Sequence, residues 1–295
     1  PAHPAPHPPA HAPARARAHP AVDNWLVLTW DGVGSGDDGT RWGGEALSGR
    51  PGDWQRAASF RTFRLVGGDM AGREPWRSAA ALLWDAGAVG VAVGAALAAK
   101  CFDFEKGIAA KAAPTAIPNS SSAIDLAHQA WQQNINTFET SAVGRLFDAA
   151  AALVLGRGIA SFEGQGPMEL EHAAIAGCEP VELPIVEDSG HLLRSDWTPL
   201  LDVLADTNIP KGERAGIFHE TMAQALVDQL LASRKTVSFD AVGLSGGVFQ
   251  NRFLTERVVD ELEGLGIDVR LHRDVPANDG GLCFGQVMEV LGRKY

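Results

Sequence analysis

Ser245-Gly246-Gly247-Val248-Phe249-Gln250-Asn251 follows the apolar run 239–244 directly and opens a helical pattern over 251–265. A strand that passes through paired glycines into a helix turns bare backbone N–H groups toward one point, and the helix dipole makes that point attractive to phosphate. The stretch reads as the nucleotide end of the molecule. After Thr236 the pattern runs strand, helix, strand 267–273, loop and final helix, which is an α/β signature. Upstream, helical periodicity recurs at 141–155, 168–176, 199–207 and 214–233, with a further strand expected at 181–186.

Toward the amino end, 25–30 is a short β-prone run that stops abruptly in Asp31-Gly32-Val33-Gly34-Ser35-Gly36-Asp37-Asp38-Gly39, a second strand-to-glycine-loop signal. A strand is expected at 61–65 and a helix at 75–84, with Pro75 at its start and Gly87 after its end. The run 79–99 reads as a buried helix and strand pair, because Asp85 and its many alanines and glycines disfavour a membrane span. The stretch 100–138 is polar and irregular, with a short helix at 124–132, and the crossing between two lobes is placed at its end. Residues 1–20 contain only Pro, Ala, His and Arg, the composition of a flexible tail.

A chain of 295 residues is long enough for two lobes around a cleft. Its 45% hydrophobic and 21% charged residues are ordinary for a globular enzyme. With 25 Lys and Arg against 36 Asp and Glu, the formal charge of −11 disfavours nucleic acid as a partner. No membrane association is expected. The three cysteines, Cys101, Cys178 and Cys283, are scattered and odd in number, which points away from a disulfide framework and toward a cytoplasmic location.

Asp31 stands where a carboxylate can reach a bound metal or phosphate while the amides of Gly34, Ser35 and Gly36 stay open; an Asx-type turn is the competing reading. Asp279, in Pro276-Ala277-Asn278-Asp279-Gly280-Gly281, occupies the loop after a strand, where open α/β sheets bind ligands, and an N-cap at Asn278 or Asp279 explains it equally well. His7 and His11 are four apart and can share a metal from one helix face, although Pro8 and Pro9 fit only its first turn and solvated histidines remain the alternative. Arg145 and Asp148 are three apart on a helix, and Glu169 falls in the first turn of another, where a surface ion pair and a helix-dipole carboxylate are the competing explanations.

In order, Asp31–Gly36 with Trp42-Gly43-Gly44-Glu45, Leu65–Asp69 with Glu74-Pro75-Trp76-Arg77, Thr140-Ser141 with Gly144–Ala149, Glu163-Gly164-Gln165, 244–252 and 278–286 resemble the carboxyl-terminal domain of HypF. HypF enzymes are the carbamoyltransferases that mature nickel–iron hydrogenases. The resemblance implies an actin-like ATPase (ribonuclease H-like) two-lobed fold, with an incomplete first lobe over 21–138 and a second lobe over 139–295. It implies that a carbamoyladenylate, made from carbamoyl phosphate and ATP, is held in the cleft. Its carbamoyl group passes to the carboxyl-terminal cysteine thiolate of a HypE-like acceptor, toward cyanide synthesis. The metal, zinc or iron, would sit on His7, His11, Asp31 and Asp279. Nucleotide contacts would fall on Gly246, Gly247 and Asn251, with Asp148 and Glu169 at ribose or base. The domains that form carbamoyladenylate are expected on a separate domain or chain. The alternative is an inactive truncated paralogue that still binds a nucleotide or a maturation partner, and an actin-like sugar kinase ranks behind both.

Overall fold

The computed structural model describes Ala12, residues 22–87 and residues 120–293. The expected tail apart from Ala12, the metal-motif histidines His7 and His11, residues 88–99 of the expected helix and strand pair, and residues 100–119 of the polar stretch 100–138 lie outside the described residues.

The strands are β1 (Trp25–Ser35), β2 (Arg41–Arg50), β3 (Asp53–Phe60), β4 (Phe63–Val66), β5 (Thr137–Thr140), β6 (Ile185–Glu187), β7 (Leu193–Ser195), β8 (Ala241–Ser245) and β9 (Val269–Arg270). Among the described residues they form one mixed sheet in the order β6-β7-β3-β2-β1-β8-β9, with β4 and β5 branching from β2. β1, β2 and β3 are an antiparallel meander, while β8 runs parallel to β1 and β9 parallel to β8. The boundary expected at 138/139 therefore does not separate two sheets. Trp25–Thr29 on one side of it pairs residue for residue with Ala241–Ser245 on the other, so both halves share one hydrogen-bonded layer.

The helices are α1 (Trp76–Asp85), α2 (Ser120–Gln132), α3 (Val143–Leu155), α4 (Gln165–Ala173), α5 (Leu200–Ala205), α6 (Lys211–Ser233), α7 (Arg252–Gly264) and α8 (Leu282–Gly292). None of the described helices is long and apolar enough to cross a membrane.

β1 is central and covered on both faces, which is why 25–30 is apolar without alternation. Leu26, Leu28 and Trp30 enter the main core; Trp25 and Val27 face a second cluster with Trp42, Leu47, Ala241 and Ala12. Trp30 stacks on Phe249 (ring centroids 5.5 Å) and meets Phe60 edge-on (5.4 Å), tying the sheet to the turn after β8. The alanine runs of α1 and α3 let these two helices lie close, with Ala79–Ala81 and Ala149–Ala152 fully buried.

Two differences from expectation bear on function. The glycine loop read at 31–39 is mostly strand: β1 continues to Ser35, and only 36–40 turn. Between the pairs Trp30↔Gly44 and Gly34↔Trp42, three residues of β1 oppose the single residue Gly43, which is a bulge centred on Asp31-Gly32-Val33. The strand expected at 181–186 shrinks to Ile185–Glu187, an edge strand three residues long.

Candidate functional site

A cavity of about 650 Å³ opens where the β1 bulge, the first turn of α3, the inner face of α4, the turn after β8 and the loop before α8 converge. Asp31, Asp148, Gly247, Asn251 and Asp279 all border it. Asp31 and Asp279, 248 positions apart in the chain (279 − 31), thus face one space.

The bulge is held by close backbone contact. A Cβ on Gly144 would stand 2.7 Å from the Gly32 Cα, so the bulge lies directly on the first turn of α3. Arg145 Nε donates to the Gly32 carbonyl at 3.0 Å and fixes it there. The Asp31 carboxylate accepts from Gly32 N–H at 2.7 Å and lies beside Gly247, whose missing Cβ would be 3.2 Å from Asp31 Oδ1. Gly246 has φ 106° and any side chain on it would overlap the Trp30 carbonyl; its N–H donates to Ala277 O at 2.7 Å, joining the two glycine loops. Gly246 is thus a support behind the wall, while Gly247 forms part of it.

In the loop before α8, Asn278 is the N-cap of the short turn Asp279–Gly281, accepting from Gly280 N–H at 3.1 Å, and Asp279 follows it on the cavity wall. The capping role belongs to the neighbouring asparagine.

The amino terminus of α7 differs from the sequence reading. Its first amides, Arg252 N–H and Phe253 N–H, donate to Glu171 Oε1 at 2.7 and 3.1 Å, and Leu254 N–H donates to the N-cap Asn251 Oδ1 at 2.9 Å. A side-chain carboxylate from α4 already takes the place that the helix dipole offers to an anion. Gly247 and Val248, in the 3₁₀ turn ahead of α7, border the cavity as well.

Asp148 is buried and lies 2.7 Å from Arg145 Nη1, yet its Oδ2 makes no aligned hydrogen bond. Burial pushes its carboxyl up to about 6, against the pull of Arg145 and with a further push from Glu163. Asn251 Nδ2 lies 2.9 Å from Nε2 of the fully buried His219.

Other expected contacts fall elsewhere. Gly34 and Ser35 border a neighbouring cavity of about 1090 Å³, which shares Arg145 and Glu163 with the first, and Gly36 closes the β1–β2 turn through its N–H to Thr40 O. Glu169 points away from the first cavity, clamped by Arg157 (2.8 and 2.8 Å) and Gln165. Glu171 takes the wall position that the sequence reading assigned to Glu169. Its spacing was the available signal, because Gly164, Met168 and Glu171 recur at helical intervals on one face and Glu169 does not. Glu45 was also missed as a structural centre. Its buried carboxylate accepts from Gly43 N–H, Gly44 N–H, Ser59 Oγ and Ser141 Oγ, fixing β2 to the start of α3.

Among the described residues no group of three or more His, Cys, Asp and Glu side chains is gathered closely enough to hold a metal ion. The described half of the implied donor set, Asp31 and Asp279, borders one cavity; the other half lies outside the described residues. Two carboxylates on one wall suit a divalent cation.

The sequence profile of the family described as "Carbamoyltransferase, Kae1-like Domain, second subdomain" matches residues 27–286. A carbamoyltransferase HypF of Rhizobium leguminosarum is 34% identical over 265 residues, 88% of this chain and 31% of that protein. A carbamoyltransferase HypF homolog of Cupriavidus necator is 32% identical over 273 residues, 88% of this chain and 64% of that protein. The crystal structure of full-length HypF in a phosphate- and nucleotide-bound form superposes with a TM-score of 0.80 at 28% identity, covering 98% of this chain and 36% of that one. The chain spans about a third of the length of the first of these relatives and of that crystal structure.

Proposed function

Because the chain belongs to the HypF family of carbamoyltransferases and has its Kae1-like, actin-like ATPase fold, we propose that it transfers a carbamoyl group from carbamoyladenylate to the carboxyl-terminal cysteine of a HypE-like acceptor. The observation that carries this reading is the meeting of Asp31, Asp148, Gly247, Asn251 and Asp279 around one cavity of about 650 Å³, within the range of small-molecule sites.

In this mechanism the adenylate phosphate lies against the Gly247 and Val248 amides, and Asp148 and Asn251 contact the nucleoside. Asp31 and Asp279, with His7 and His11, would hold the divalent cation, which supplies polarisation of the carbamoyl oxygen. The acceptor thiolate adds to the carbamoyl carbon, the bond from that carbon to the phosphate oxygen breaks, and AMP leaves as an anion. Carbamoyladenylate itself would come from a separate domain or chain.

Incubation of the metal-loaded chain with carbamoyladenylate and the acceptor protein should add one carbamoyl mass to the acceptor's terminal cysteine. Asp31→Ala and Asp279→Ala should each abolish the transfer. If the chain binds nucleotide but leaves the acceptor unmodified with metal present, the inactive-relative reading replaces this one.

A further inference from the structure

His219 lies on α6, fully buried, outside the cavity and outside every role assigned above. Its ring is enclosed by Phe147, Phe218 and Phe253, with centroids 5.1–5.7 Å away. Each ring nitrogen has one polar partner: Nδ1 is 2.7 Å from the Ala215 carbonyl, and Nε2 is 2.9 Å from Asn251 Nδ2. A carbonyl only accepts, so Nδ1 carries the proton; in the neutral ring Nε2 is then an acceptor. Burial holds the ring pKa below its ordinary value, against the opposing pull of the Ala215 carbonyl, Glu171 and Glu220.

The same conclusion arrives from the other end. Asn251 Oδ1 accepts from Leu254 N–H at 2.9 Å, and a backbone N–H only donates. Both neighbours therefore demand the same amide orientation, with oxygen toward α7 and nitrogen toward His219. One Nδ2 hydrogen is used by His219, and Asn251 borders the cavity. We propose that His219 is a positioning residue that locks the Asn251 carboxamide so that an N–H donor faces the bound ligand, and that the ligand places an acceptor atom there. Without the histidine acceptor, the Leu254 N–H bond to Oδ1 is what remains of these two restraints on the amide, and its nitrogen loses the partner that fixes it. The ligand part of this inference rests on the reading of the cavity as a nucleotide site; the orientation of the amide does not.

Nitrogen-15 spectra of the full chain without nucleotide should show His219 as the neutral Nδ1–H tautomer. The Nε2–H tautomer, or an imidazolium at neutral pH, would overturn the proposal. Calorimetric titration with AMP provides the second arm, with folding of each variant verified by circular dichroism. His219→Leu fills the space without an acceptor and should weaken AMP binding about tenfold, equivalent to about 1.4 kcal/mol. His219→Gln, which restores an acceptor, should recover most of that loss, and His219→Leu should add nothing in an Asn251→Ala background. Equal losses in the Leu and Gln variants, or a full loss in the Asn251→Ala background, would mean that His219 acts only as core. A wild-type chain that ignores AMP would end the nucleotide reading, while the tautomer measurement would still decide the amide lock.

Discussion

Replacing Asp148 by Asn isolates one buried charge. The Asp148 carboxyl is raised from an ordinary 3.8 to about 6, chiefly by burial. A folded-state value above the unfolded one means that the folded protein binds the proton more tightly. The stability it contributes is complete below pH 3.8 and is lost as pH rises through about 6. Between about pH 4.5 and about pH 7.5, linkage with these two values removes about 2 kcal/mol from the wild type. The Asn variant carries no such term. It also leaves Arg145 without its partner, but that guanidinium stays charged throughout and its cost is the same at both pH values. Urea unfolding followed by tryptophan fluorescence at the two pH values should therefore show the wild type losing about 2 kcal/mol relative to Asp148→Asn as pH rises. A difference that does not change with pH would show Asp148 ionised throughout the window, with the Arg145 pair outweighing desolvation.

Glu45→Gln turns an acceptor into a donor where Gly43, Gly44, Ser59 and Ser141 all donate. It should cost roughly 2–4 kcal/mol, seen as a lower Tm in calorimetry, and an unchanged Tm would refute the role of Glu45 as the pin between β2 and α3. Gly246→Ala meets both φ 106° and the Trp30 carbonyl and should lose AMP binding together with stability. Gly39→Ala, at φ 80° with open space, should cost only about 1–2 kcal/mol and leave binding intact. Equal damage at the two glycines would show that steric exclusion by Trp30 is irrelevant. Glu171→Gln should lose roughly 0.3–1 kcal/mol from the α7 terminus yet tighten AMP binding measured without metal, because one negative charge leaves the cavity. Weaker metal-free binding in that variant would argue against carboxylate repulsion.

Elements with strong local signals were legible in the sequence. The helices at 141–155, 214–233 and 251–265 emerge within three residues of their expected ends, because periodicity and caps act over one turn. β2 was read only as a glycine motif, since Gly43, Gly44 and Gly49 interrupt its apolar alternation. Its strand character comes from pairing with β1 and β3, which no local window contains. The bulge at Asp31 was hidden for the same reason, because a bulge is a mismatch between two strands. That Asp31 and Asp279 share a site was an implication of the family resemblance, to which the two Asp-Gly loops only lent weight; both border one cavity. The exchange of Glu169 for Glu171 turned on where α4 begins, at Gln165 and not at Met168.

The charge on the cavity wall bears on the proposal that a cation accompanies an anionic ligand there. Among the described residues that border the space, Asp31, Asp148, Glu163, Glu171 and Asp279 carry carboxyl groups and Arg145 a guanidinium. At an effective dielectric of about 20 and a separation of about 6 Å, each carboxylate repels a unit negative charge by roughly 3 kcal/mol. The α7 dipole gives little relief, since Glu171 already accepts from its first two amides. Protonation of Asp148 removes one negative charge below about pH 6, and Arg145 balances another. Uncompensated, the remaining carboxylates would repel an anion by more than backbone amides return at about 1 kcal/mol each. A divalent ion held by Asp31 and Asp279, as proposed above, would reverse that sign, and metal and adenylate should then enter this cavity cooperatively, each raising the affinity of the other by the same factor.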